Sequence, residues 1–306
     1  MDCATAGVRA IAGSFVPPPE IRDLRDLTRY RKVLIEERTE EVVRLHEVLQ
    51  RAGIKLSSVA SNVMGVSGRA MIEALITGKR DATAIAELAK GRLRAKLAPL
   101  QKALEGYFRE HPAFVLTQML AHVDFLEERI GELSQRVDKQ LQPFQRQKEL
   151  LQTIPGWQNR TAEMVLGEIG VDMGQFASDG HICSWGGVCP GNNQTAGKRK
   201  PERVGKRGRW LKPALNEAAW AAVKKGDNYL SAQYRHLVKR LGKKKAIMAV
   251  MHSMLVIAYH VLKEDKSYQE LGVDFFVTRN KTAIQARCVR QLKQLGYEVT
   301  LTPIAA

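Results

Sequence analysis

The sequence predicts a mainly α fold: a helical arm built on a long heptad helix, followed by a second helical domain that contains a helix-hairpin-helix-like segment. Three observations carry this. Leu116, Met119, Val123, Leu126, Ile130, Leu133 and Val137 step alternately by three and four, the a/d pattern of a helix with one apolar seam. Elsewhere apolar residues recur at helical spacing between Gly and Pro stops. Only residues 297–302 (YEVTLT) alternate as a strand does.

Taken in order, residues 1–14 carry no pattern, and VPPPE at 16–20 is a stiff entry to a helix. Residues 21–52 place Leu27, Tyr30, Leu34, Leu45, Val48 and Leu49 at helical spacing, with Gly53 as the stop. Residues 54–110 predict several shorter helices, broken at Gly65, Gly68, Gly78 and Pro99. The heptad helix over 113–141 would be roughly 40 Å long. Its seam would pair with the 21–52 helix of the same chain or with another subunit.

Pro143 marks a boundary, dividing an arm over 15–142 from a domain over 143–306. KELLQTIPGWQNRTAEMVLGEIG, residues 148–170, reads as helix, tight turn at 154–156, helix, and Gly170 as C-cap. Gly156 and the next helix N-terminus could offer backbone N–H groups to a phosphate. A second hairpin glycine is missing, because Trp157 is followed by Gln158; a purely structural hairpin is the alternative. Ser178 and Asp179 cap a short helix ending at Trp185, and Gly186 and Gly187 close it. Further helices are expected over 210–223, from Asp227-Asn228 onward, and over 246–262 after Lys243, Lys244 and Lys245.

The chain has 306 residues, 44% of them apolar, enough for one large or two ordinary domains with a real core. Its net charge is +16 and its pI is about 9.8. From Gly191 to Lys245 there are 16 Lys/Arg against three acids, Glu202, Glu217 and Asp227. Most of the excess charge therefore sits in under a fifth of the chain, as on a surface that faces phosphates. No uninterrupted run of 18 apolar residues and no signal-peptide pattern occur. A cytoplasmic, nucleoid-associated protein without a membrane partner is expected. Cys3, Cys183, Cys189 and Cys288 suit free thiols. Cys183 and Cys189 lie too far apart for a usual metal pair, and His252 and His260 sit eight apart on an apolar helix, so no metal site is expected.

Residues 189–210, CPGNNQTAGKRKPERVGKRGRW, combine a Pro-Gly turn, one hydroxyl (Thr195) and a dense basic run. Lys198, Arg199, Lys200, Arg203, Lys206, Arg207, Arg209 and Lys212 are the candidate phosphate ligands. A solvated charged loop is the plainer alternative. A hydroxyl attacking a phosphodiester needs deprotonation, in-line placement and neutralised phosphate oxygens. The cations supply the last. No His or carboxylate lies close in sequence to act as base.

LLQTIPGWQNRTAEMVLGEIG, SWGGVCPGNNQTAGKRK and the GKKKAI–AYHVL helix together resemble the C-terminal domain of insertion-sequence transposases of the IS-one-ten family, related to Piv-type DNA invertases. SFVPPPEIRDLRDLTRYRK and GIKLSSVASNVMGVSGRAM resemble the middle of such proteins, so the likeness runs over about 13–306. It implies a RuvC-like, DEDD-type domain binding Mg²⁺ through four acidic residues, a helical arm, and a transposase domain with a serine nucleophile. It also implies a homo-oligomer acting on DNA under the guidance of a structured, element-encoded bridge RNA.

Two departures matter. The family's acidic residues lie ahead of SFVPPP, in part in a K-T-D-x-x-D-A stretch, whereas residues 1–12 hold only Asp2. The expectation is a truncated, catalytically impaired member with no metal site in this chain, 1–14 being foreign or disordered leader and 15–142 an arm with a RuvC-like remnant. Second, the family serine aligns with Thr195, whose methyl stiffens χ1 and crowds attack. A working transposase subunit, a non-catalytic nucleic-acid-binding remnant and a general helix-hairpin-helix DNA-binding protein are the functions left open.

Overall fold

The structure is a computed structural model that describes residues 17–189, 194–195, 197–199, 208–279 and 281–302. It is mainly helical, as the apolar spacing requires. It divides into two compact units: Leu27–Lys139, and Met1–Asp26 together with Gln140–Ala306.

The Leu27–Lys139 unit is a helical arm. Helix α1 (Pro19–Arg51) enters it at Leu27, and α5 (Glu110–Leu141) leaves it after Lys139. Leu34 of α1 packs against Leu126 and Ile130 of α5, so the heptad seam is filled within the chain. Polar pairs confirm the register: Arg31 Nη1 lies 3.4 Å from Ser134 Oγ, and Arg38 donates to Glu127. Rising numbers on α1 meet falling numbers on α5, so the two helices are antiparallel. At the other end, α2 (Val66–Ile76), α3 (Ala82–Ala86) and α4 (Leu97–Leu104) fold over Leu45, Leu49, Leu116 and Leu120. Asp81 caps α3 by accepting from Thr83 N. Arg69 of α2 reaches Asp124 of α5, at 2.6 Å from Nη2, and Glu73. This pairing holds its guanidinium well above the ordinary arginine range, the Asp124 bond contributing most.

Two expected breaks lie inside helices: Pro99 falls in the first turn of α4, where a missing backbone N–H is tolerated, and Gly68 is the second. Gly68 lies inside α2. An added Cβ there would stand 2.2 Å from Val63 O, so the glycine serves a close backbone approach and not a stop.

The other unit carries α6 (Gln145–Gln152), α7 (Asn159–Ile169), α8 (Asp179–Trp185), α9 (Leu211–Lys225), α10 (Tyr229–Leu241), α11 (Lys243–Glu264), α12 (Phe275–Arg279) and α13 (Lys281–Gln294). Asn228 caps α10 through Ser231 N at 2.9 Å. Helices α8, α9 and α10 all pack on α11, and α7 packs on α6 and α9. Val250, Met254, Leu255 and Ala258 of α11 are fully buried in that stack. By length and composition α11 could cross a membrane, but these buried contacts make it the core helix of this unit. Lys148 of α6 and Glu163 of α7, both buried, form an ion pair at 3.2 Å. Arg25, on the first turns of α1, donates to Gly167 O and Glu168 O at 2.9 and 2.7 Å. It thereby satisfies carbonyls that the end of α7 leaves open.

One expectation fails at the C-terminal end. Residues 297–302 form no strand: their alternation finds no second strand to pair with, and an isolated strand leaves its backbone groups unsatisfied. Helices α12 and α13 occupy a stretch in which no helix was expected. Among the described residues the strands are two short ones, β1 (Gln194–Thr195) and β2 (Lys198–Arg199).

Candidate nucleic-acid interface

Helix α8 is the platform from which the basic segment departs and to which it returns. Ser178 starts α8 in extended conformation, yet its hydroxyl bonds His181 Nδ1 at 2.9 Å and caps no backbone N–H. Ile182 and Cys183 bury into α11, and Trp185 meets Phe176 edge-on at 6.2 Å. On leaving, Cys189 Sγ lies 3.7 Å from Gly180 O. On returning, Gly208 adopts φ +66, and an added Cβ would stand 2.1 Å from Gly186 O. Only a glycine fits that approach. Lys212 N then bonds Gly208 O at 2.9 Å, opening α9. Both roots of the segment thus close on the two ends of one short, well-packed helix.

Between the roots, Gln194–Thr195 pairs antiparallel with Lys198–Arg199, in the register Gln194 with Arg199 and Thr195 with Lys198. Gly197, at φ +74, lies in the connection between them. The backbone therefore sets the only hydroxyl-bearing residue of the stretch 189–210 opposite a lysine. Lys198 is exposed. Arg209 is exposed, its guanidinium 5.4 Å from the Trp210 ring centroid. Lys212 is half-buried, and that burial lowers its pKa. Lys200, Arg203, Lys206 and Arg207, and the side chains of Thr195 and Arg199, lie outside the described residues.

Gly156, the hairpin candidate, has φ +84, and its added Cβ would stand 2.2 Å from Ala218 O and 2.8 Å from Ala222 N. The turn between α6 and α7 is thus pressed onto the backbone of α9. That packing by itself requires a glycine.

The titratable groups beside α8 were not grouped by the sequence, because they lie far apart along it. A cavity of about 660 Å³ is lined by Asp179, His252, Ser253, His260 and Tyr268 among others. Burial pushes the Cys183 thiol up to about 12, with Cys189 and Asp179 adding to it. Burial also raises Cys189. Burial thus disfavours the thiolate form at both, which weighs against a nucleophilic role. Burial lowers His252, and Asp179 opposes the shift. His260 Nδ1 lies 3.5 Å from Glu264, its i+4 neighbour, a pair that a count along the helix could have found. Among the described residues no group of three or more His, Cys, Asp or Glu could hold a metal ion. The donors among the described residues do not fit the Mg²⁺ that the family resemblance implies.

Residues 148–235 match the model of the family described as Transposase IS116/IS110/IS902 family. This stretch is similar to a transposase family. It begins in α6, ends within α10, and includes the helical hairpin, α8, Thr195 and the basic segment with both its roots. No curated protein matches the chain. The features the sequence singled out, from Gly156 to Lys212, all fall inside the stretch that matches this family.

Proposed function

We propose that this chain is a DNA-binding subunit of an insertion-sequence transposition system, with the segment 189–212 as its main contact to the DNA backbone. The observation that carries this is a basic run within the transposase-family stretch, held at both roots by α8. Lys198, Arg199, Lys200, Arg203, Lys206, Arg207, Arg209 and Lys212 neutralise phosphates. Thr195 takes the position of the family's nucleophilic serine. The structured RNA and the homo-oligomer that the resemblance implies belong to the same proposal.

Binding without strand cleavage by this chain alone is the second reading. It is favoured by the lack, among the described residues, of a carboxylate set fit for a metal. Under it, recombination by the purified chain with Mg²⁺ and a family-type RNA is undetectable; metal-dependent strand exchange would overturn it.

The test of DNA binding is its salt dependence. If six phosphates are neutralised, log Kobs against log salt has a slope of about −4 on single strands and about −5.4 on a duplex. Changing Lys198, Arg199, Lys200 and Arg203 together to Ala flattens the slope, while Thr195→Ala leaves it intact. An unchanged slope in the fourfold variant removes this segment from the interface.

A further inference from the structure

We propose that the corner between α10 and α11 is a second contact surface for duplex DNA, with Lys239, Arg240, Lys243, Lys244 and Lys245 set against the sugar-phosphate backbone. This rests on the DNA-binding function proposed above and adds a surface beyond the transposase-family match, which ends at Arg235.

All five side chains are exposed. Among the described residues none of them is joined to a carboxylate. Lys239 and Arg240 close the last turn of α10, where the helix carbonyl end favours cations. That placement also has a structural explanation. The three lysines of α11 do not. They occupy its first turn, where the helix N–H groups already present positive charge. That turn holds no acidic residue, and Gly242 before it supplies no side-chain cap. Charge placed against the helix dipole, with no compensating partner, is a local conflict of the kind found at functional sites. An incoming anion resolves it, because lysines and free N–H groups then face the same phosphate.

The backbone at the corner is open. Gly242 has φ +76, and an added Cβ would meet nothing within 4 Å. One residue separates the two basic turns.

The chemistry favours a duplex over single strands. Single-stranded nucleic acid is held by aromatic side chains that stack on bases, together with charge. Residues 239–245 read KRLGKKK and contain no aromatic. A surface of cations alone reads backbone phosphates, which a duplex presents in regular array.

The test uses the full chain and a short fluorescein-labelled DNA duplex of arbitrary sequence, followed by anisotropy across a KCl series. The variant is Lys243→Ala/Lys244→Ala/Lys245→Ala. Its log–log salt slope is expected to be shallower than that of the unsubstituted chain by up to about 2.7, about 0.9 for each phosphate no longer neutralised. The corresponding triple Lys→Arg variant keeps the original slope. A charge-matched control, Lys79→Ala/Lys90→Ala/Lys102→Ala, also keeps it. Circular dichroism of the alanine variant is expected to show undiminished helix content, since the lysines removed oppose the dipole.

If the unsubstituted chain binds duplex and the corner variant has the same slope, the corner proposal falls while the proposed function stands. Equal flattening in the control overturns it as well, by reducing the effect to net charge. Loss of single-stranded RNA binding with an unchanged duplex slope overturns it too. If the unsubstituted chain binds no duplex at all, both proposals fall.

Discussion

Replacing Gly156 by alanine separates the cost of an unusual backbone from the cost of filled space. Gly156 has φ +84 and Gly226 has φ +85, so both demand a conformation that side chains disfavour. Both lie in the Gln140–Ala306 part of one unit. They differ in surroundings. At Gly226 an added Cβ meets only Lys224 O, at 3.9 Å. At Gly156 it would stand 2.2 Å from Ala218 O and 2.8 Å from Ala222 N, both backbone atoms of α9. The shared conformational cost is about 1–2 kcal/mol. The close approach adds an overpacking cost of about 1–3 kcal/mol, since helix backbone cannot swing aside as a side-chain end can. Gly226→Ala should therefore cost about 1–2 kcal/mol and Gly156→Ala about 2–5 kcal/mol. Urea unfolding followed by the helical circular dichroism signal gives both, with an unchanged m-value as the check that only stability moved. Equal losses for the two variants would refute the packing account of Gly156. A Gly156→Ala protein of normal stability that binds DNA poorly would instead favour the phosphate-binding role.

Three further outcomes are expected. Glu163→Ala removes the carboxylate from a buried ion pair and should cost about 3–5 kcal/mol in urea unfolding, while Lys148→Met/Glu163→Leu should recover most of it. Arg69→Ala removes exposed pairs to Asp124 and Glu73, and the same measurement should show a loss of about 1 kcal/mol or less. His252 has a folded pKa below the ordinary 6.5. The unfolded chain therefore binds its proton first, and its contribution to stability is present above pH 6.5 and falls away as pH drops through the folded pKa. His252→Gln should make thermal stability depend less on pH across that window.

The long helices were legible because their apolar residues repeat over many turns. The 3-4 stepping from Leu116 to Val137 predicted α5, and Leu34 against Leu126 and Ile130 answers what the seam packs on. Gly68 looks like a stop in sequence because its reason is a carbonyl five residues away, at Val63, brought back by the turn before α2. Helices α12 and α13 have no buried residue among those described, so they lack the apolar stripe that periodicity detects. YEVTLT has the alternation of a strand, yet a strand exists only with a neighbour. At the candidate interface, residue types and charge were readable, including Thr195 and the basic run. The anchoring was not. Cys189 on Gly180 and Gly208 on Gly186 are contacts of the folded chain, and no local pattern announces them. The lysines of α11 were counted in the charge total, but their placement against the helix dipole needed the helix start at Lys243.

The most direct test of the account is a lysine footprint. The full chain is acylated with a lysine-specific reagent with and without excess duplex DNA, and the modified sites are read by mass spectrometry. Protection of Lys198, Lys200, Lys206 and Lys212, with Lys79, Lys90 and Lys102 modified equally in both samples, is the predicted result. Full modification of Lys198 and Lys206 under saturating DNA, with protection confined to the Leu27–Lys139 unit, would contradict the placement of the DNA contact in the basic segment.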